Sequence, residues 1–291
     1  MNKITNPHDI PDTEPQEPLK EIPKRRLGKT GVLVSVLGLG GEGALRSYGN
    51  DAKASEIINT AIDYGINYME SARAYAGSEA YYGAALKERR KEVFLASKSH
   101  ARDKQGAFAH LKETLANMKT DYLDLWQVHD VRTDEEINMI FGPGGAIEAF
   151  AEAKKKGLVR FIGVTGHHDP AVIRKCLETF DFDTVLIPVN PAEPAYKCFL
   201  EEVVTVAGAK DVGVLAMKVY LSGRFDAPKK LLLSYALSQP VAVAVVGCDN
   251  LEQLRENAGA AGNILSLKYN EVKKLTAMVA PYARELMSYK P

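Results

Sequence analysis

From residue 25 onward the apolar positions gather into eight short runs, at 34–39, 67–70, 93–97, 123–128, 161–165, 184–189, 213–217 and 241–246. Most are near-continuous and rich in Val, Ile and Leu, the pattern of parallel strands covered on both faces. The stretches between them, 52–64, 78–89, 106–118, 144–156, 170–178, 199–207, 229–238 and 251–262, carry the periodicity of amphipathic helices. Asp51 and Asn250 read as N-caps, Pro170 after Asp169 as a first helical turn, and Gly65 and Gly157 as helix ends. Eight strand–helix units in a row predict the α/β class, either a closed (β/α)8 TIM barrel or a large doubly wound sheet. The barrel is favoured. Gly38-Leu39-Gly40-Gly41-Glu42-Gly43 after the first run leads into a long loop rather than a glycine-opened helix, which argues against the dinucleotide-binding doubly wound fold.

The chain has 291 residues, enough for one such barrel at about 250. Residues 24–291 are expected to form a single domain. Residues 1–23 are polar and rich in proline and acids, and read as an extended or disordered arm. Basic and acidic residues balance at 37 each, so neither nucleic acid nor a membrane surface is an expected partner. Three scattered cysteines, Cys176, Cys198 and Cys248, suit free thiols in a reducing compartment better than a disulfide framework or a thiolate metal cluster. With no long apolar run and no signal-peptide core, a cytoplasmic location is expected, as a monomer or small homo-oligomer.

In a barrel of this class the active site lies at the carboxyl ends of the strands. The second run ends Glu70-Ser71-Ala72-Arg73-Ala74-Tyr75, the third Ser97-Lys98, and the fourth Val128-His129-Asp130. These ends bring a carboxylate, a phenol, an ammonium and an imidazole to one rim. A phenol titrates near ~10, so an ammonium beside it is expected to lower that value and make it a better proton donor. A carboxylate can hold the ammonium, and an imidazole can orient a substrate oxygen. Singly each residue is more often structural than functional; the joint placement is what counts.

From about Arg25 to Gly262 the chain resembles the aldo-keto reductase superfamily. The resemblance rests on Arg26-Leu27-Gly28-Lys29-Thr30-Gly31, Asp63-Tyr64-Gly65-Ile66-Asn67-Tyr68, Gly83-Ala84-Ala85-Leu86, Asp121-Tyr122-Leu123-Asp124-Leu125-Trp126-Gln127-Val128-His129 and Gly157-Leu158-Val159-Arg160-Phe161-Ile162-Gly163-Val164. It implies an NAD(P)H-dependent reduction of an aldehyde or ketone. Tyr75 would be the general acid, Lys98 its partner, and His129 the orienting residue. Glu70 stands where the family has aspartate. The cofactor residues implied are Gly40, Gly41 and Glu42 near the first strand, then Thr165, Gly166, His167, Asn190, Met217, Lys218, Val219 and Gly223. Gly247, Gln253, Glu256 and Asn257 complete them at the adenosine end.

Gly166-His167 replaces the family's Ser-Asn and resembles a subgroup some of whose members carry a ferredoxin-like extension, absent here. Leu186 replaces an expected glutamine. NADPH is the expected cofactor, with NADH the alternative because Asp249 occupies a place often basic. No metal is expected, since His167-His168 lack nearby acids or thiols in the sequence. The short tail after 262 implies an open substrate pocket. The alternative function is a barrel that binds the cofactor as a redox sensor with little turnover.

Overall fold

The computed structural model describes residues 19–291. A two-stranded hairpin, β1 (Lys24–Arg26) and β2 (Leu33–Ser35), precedes eight parallel strands: β3 (Leu37–Gly43), β4 (Tyr68–Glu70), β5 (Phe94–Ser99), β6 (Leu123–Val128), β7 (Val159–Thr165), β8 (Thr184–Pro188), β9 (Gly213–Met217) and β10 (Val243–Cys248). These eight close on themselves, β10 pairing with both β3 and β9. The chain is therefore a (β/α)8 barrel and not an open doubly wound sheet.

Helices α1 (Asp51–Asp63), α2 (Ser78–Leu86), α3 (Lys104–Met118), α4 (Asp134–Phe141), α5 (Ala146–Lys155), α6 (Pro170–Thr179), α7 (Phe199–Ala209), α8 (Lys229–Ser238) and α9 (Leu251–Gly262) surround it, followed by α10 (Tyr269–Val279) and α11 (Ala283–Leu286). Among the described residues, no helix is long and apolar enough to cross a membrane. Cys176 and Cys248 are buried and Cys198 partly so, all three as free thiols.

Two-residue alternation along the strands divides the core into two layers. Tyr68, Phe94, Ala96, Leu125, Leu186, Leu215 and Val243 form the barrel interior, and the hairpin adds Leu27 and Val34 to the same cluster. Their strand neighbours Met69, Leu95, Trp126, Ile187 and Ala216 face outward into the helix layer. The same alternation carries upward: Glu70 lies two residues beyond Tyr68, Lys98 two beyond Ala96, and Gln127 two beyond Leu125. Three polar groups thus turn into the top of the barrel, above its apolar interior cluster.

Four sequence readings are corrected. The run at 34–39 divides, because Leu33–Ser35 pairs with the hairpin while the barrel strand starts at Leu37. Asp51 is the first residue inside α1, preceded by Asn50; its carboxylate there favours the helix dipole. Asn250 does cap α9, accepting from the Gln253 backbone N–H, and Asp169 caps α6 ahead of Pro170. Helix α4 was not foreseen. It is a short amphipathic turn, Ile137 and Ile140 buried, capped by Thr133.

The fourth correction concerns the tail, which folds into α10 and α11 and packs through Leu275, Val279, Ala283, Leu286 and Met287 against Leu221, Leu232 and Tyr235. Of the expected arm, residues 1–18 lie outside the described residues. The remainder follows the barrel, with Ile22 buried in the core and Leu19 packed against it.

Candidate active site

At the carboxyl end of the barrel lies a cavity of about 740 Å³ whose lining includes Glu70, Tyr75, Lys98 and His129. Glu70 and Lys98 are almost fully buried and form an ion pair, Nζ to Oε1 2.6 Å. The other carboxylate oxygen of Glu70 accepts from the Tyr68 hydroxyl at 3.1 Å and the Gln127 amide at 2.9 Å. Lys98 also donates to the Ser71 carbonyl at 2.9 Å. Gly163 leaves the space for Gln127, since a Cβ there would lie 3.0 Å from the Gln127 Cγ and 2.4 Å from the Thr184 hydroxyl. The extra methylene of glutamate is thus accommodated by a dedicated set of donors.

Tyr75 lies against this pair. The Lys98 ammonium sits 4.8 Å from the centre of its ring, Arg46 contacts the ring at 4.9 Å, and the His129 imidazole meets it edge-on at 5.9 Å. Burial raises the Tyr75 phenol above its ordinary value; Lys98 pulls it down, while Glu42 and Glu70 push it up. This corrects the expectation of a lowered value. The ammonium is present, but desolvation of the phenolate wins, so the resting group is a protonated phenol. Burial, then the Lys98 charge, hold His129 well below the usual imidazole range, hence neutral. Its Nδ1 is buried and has no hydrogen-bond partner among the described residues.

The expected cofactor residues divide. Gly40, Gly41, Glu42, Thr165, His167, Met217, Lys218, Val219, Gly223, Gly247, Gln253 and Asn257 line the cavity. The other three do not. Gly166 is a packing glycine, because a Cβ would lie 2.4 Å from Ile173 Cδ1 and 2.8 Å from the Val131 carbonyl. Asn190 is fully buried, its amide donating to the Lys218 carbonyl and the Tyr289 hydroxyl. Glu256 pairs with Lys229, which does line the cavity.

The cradle suits a dinucleotide. Gly247 packs so closely on β3 that a Cβ would meet the Glu42 carbonyl at 2.9 Å. The loop after β9 has positive φ at Lys218, Leu221, Ser222 and Gly223, a backbone habit of anion-binding loops. Lys218 and Lys229 supply positive charge.

Sequence reading missed Arg46, Arg132 and Lys229, long cations from loops or helix starts with no strand-end signal. It also missed Tyr289. That ring stands edge-on to His167 at 5.8 Å, and its hydroxyl donates to Glu193 at 2.9 Å. Next to it Lys290 is buried against Glu193 at 2.7 Å and donates to the Tyr196 and Lys197 carbonyls. Burial lifts the Glu193 carboxyl to about 7 against the pull of Lys290. The tail therefore packs against His167, a residue that lines the cavity, without itself joining the lining. Tyr289→Phe removes two side-chain hydrogen bonds and is expected to cost about 1–3 kcal/mol, seen as a lower urea midpoint. An unchanged midpoint would show that the tail is held without them.

The expectation that no acid lies near His167 and His168 is also corrected: Asp130 Oδ1 is 3.2 Å from His167 Nδ1.

Comparison with known proteins agrees with the barrel. A family model described as the aldo/keto reductase family matches residues 36–230. An uncharacterized oxidoreductase, YqkF, of Bacillus subtilis is 31% identical over 87% of this chain and 95% of its own length. Methylglyoxal reductase DkgB of Escherichia coli O157:H7 is 25% identical over 76% of this chain and 86% of its own. Among solved structures, the aldo-keto reductase AKR11C1 of Bacillus halodurans in its holo form superposes with a TM-score of 0.72 at 26% identity. That match covers 87% of this chain and 96% of the other. A Klebsiella pneumoniae aldo-keto reductase in complex with NADPH shares the fold, with a TM-score of 0.73 at 21% identity over 88% and 95% of the two chains.

Proposed function

Because the chain belongs to the aldo/keto reductase family and is thereby an NAD(P)H-dependent oxidoreductase, we propose that it reduces a small aldehyde or ketone to the alcohol. Tyr75 is the proton donor, Lys98 and Glu70 its electrostatic support, and His129 the orienting group. The observation that carries this reading is the buried Glu70–Lys98 ion pair, set under a protonated Tyr75 and a neutral His129 in one cavity.

Bound nicotinamide supplies the hydride. The residues handle the rest of the reaction. His129 and Tyr75 hydrogen-bond the carbonyl oxygen, fixing its position and polarising it. As negative charge develops on that oxygen, the Tyr75 hydroxyl transfers its proton to it. The resulting phenolate is met by the Lys98 ammonium beside the ring, and Glu70 keeps that ammonium in place and charged. The glycines Gly40, Gly41 and Gly247, the loop 218–223 and the cations Lys218 and Lys229 hold the dinucleotide.

NADPH is the proposed cofactor, with Lys229 and Lys218 offsetting Asp249 at the rim. Titration with both nucleotides tests this, and NADH binding as tightly as NADPH would contradict it.

The pH dependence has a defined sign. Tyr75 works in its acid form, and its phenol lies above the ordinary 10.0. His129 is neutral down to well below 6.5. The rate of aromatic aldehyde reduction is therefore expected to stay level through neutral pH and fall only above pH 10. An alkaline fall centred near neutrality would contradict these assignments. Leu186, lining the cavity where a polar partner was expected, is the feature that favours the sensor reading. Tight nucleotide binding without turnover over a broad carbonyl panel would support that reading instead.

A further inference from the structure

Asp130, His167 and His168 place one carboxylate oxygen and two imidazole nitrogens within 4.8 Å of one another. Asp130 follows β6, and the two histidines follow β7. The segments are clamped together: the Asp130 backbone N–H donates to the Thr165 hydroxyl at 2.9 Å, the Val131 N–H to the Thr165 carbonyl at 2.9 Å, and Arg102 to the His129 and Asp130 carbonyls.

The two oxygens of Asp130 differ. Oδ2 is taken by the Arg132 guanidinium. Oδ1 is shielded from solvent and, among the described residues, accepts no hydrogen bond, although His167 Nδ1 lies only 3.2 Å away. A nitrogen and an oxygen facing each other at that distance without hydrogen-bond geometry resemble two ligands awaiting one ion. Tetrahedral zinc, with bonds of about 2.0–2.2 Å, sets its ligand atoms roughly 3.4 Å apart.

We propose that Asp130, His167 and His168 form a divalent-cation site of zinc type. The ligand set is two imidazoles and one carboxylate, and the fourth position opens to the cavity that Asp130 and His167 line. Imidazole nitrogens favour zinc, cobalt or nickel over magnesium or calcium. The opposing charges are Arg132, which is half exposed and already engaged by Asp130, and Lys218 and Lys197, which face the two histidines. They weaken the site without filling it. An ion there occupies space beside His129, so zinc acts as an inhibitor of the reductase. That consequence rests on the proposed function; the binding itself does not.

The test is titration of the full chain with Co2+ as spectroscopic probe, followed by displacement with Zn2+. One Co2+ per chain, with the visible band of a four-coordinate ion, is expected. His168→Ala and Asp130→Asn should each weaken it at least about tenfold, by the scale of losses at metal sites, with the far-ultraviolet circular dichroism unchanged. His168→Ala should also keep metal-free turnover and lose inhibition by Zn2+. No visible band at equimolar Co2+, or a band that persists undiminished in both variants, would overturn the site. Co2+ binding with no effect on turnover would overturn the inhibitory role alone.

Discussion

Replacing Tyr75 by phenylalanine is expected to lower kcat for aldehyde reduction by about 10²–10⁴-fold, the usual worth of a positioned proton donor, while the affinity for the nicotinamide cofactor stays within about twofold of the parent. The substitution removes one hydroxyl and keeps the ring, so the contacts with Lys98, Arg46 and His129 persist. Stability should hardly move, because among the described residues no hydrogen bond ends on that hydroxyl. What is lost is the only acidic proton the mechanism assigns to the developing alkoxide. Turnover within twofold of the parent would remove Tyr75 from that role.

The second large effect falls on stability as well as rate. Lys98→Met leaves the Glu70 carboxylate almost fully buried, with the Tyr68 hydroxyl and the Gln127 amide as its remaining side-chain partners among the described residues. Breaking a buried pair in this way costs about 3–5 kcal/mol, because the charge left behind is uncompensated. Urea unfolding measures it. Adding Glu70→Gln in the same chain should return most of that loss, since the orphaned charge goes with it, yet leave the enzyme without turnover. A coupling of this sign in the double-mutant cycle is the signature of the pair. If Lys98→Met unfolds at the parent's urea concentration, Glu70 and Lys98 are not the coupled buried pair described.

The strand ends were legible because of their period. Once the eight runs are taken as parallel strands, Glu70 and Lys98 must point inward, two residues above the apolar Tyr68 and Ala96, and His129 must lie just past a strand end. Other features have no local signal. Glu193 and Lys290 are 97 residues apart, and nothing near either one announces a buried partner. Tyr289 lies beyond the last foreseen helix, so its contact with His167 could not be read from spacing. Asp130 was visible beside His129, but its approach to His167 depends on two different strands ending at the same height. The direction of the Tyr75 shift was misjudged for a related reason. The ammonium is visible in sequence, whereas the depth of burial that outweighs it is a property of the closed barrel.

Gly166 illustrates the opposite hazard. It occupies a position expected to hold the cofactor, yet the adjacent Ile173 accounts for its lack of a side chain. Glu70 is the reverse again: a departure from the family's aspartate whose carboxylate nevertheless finds Lys98 at 2.6 Å.

The chemistry proposed for this rim is hydride transfer to a carbonyl. The decisive measurement incubates the protein with NADPH carrying deuterium in place of both hydrogens at the nicotinamide C4, together with an aromatic aldehyde, and analyses the product by mass spectrometry. An alcohol carrying the label on its carbinol carbon is expected, one deuterium for each nicotinamide oxidised. An aldehyde recovered unchanged beside fully reduced, tightly bound NADPH, over a panel of aldehydes and ketones, would contradict it.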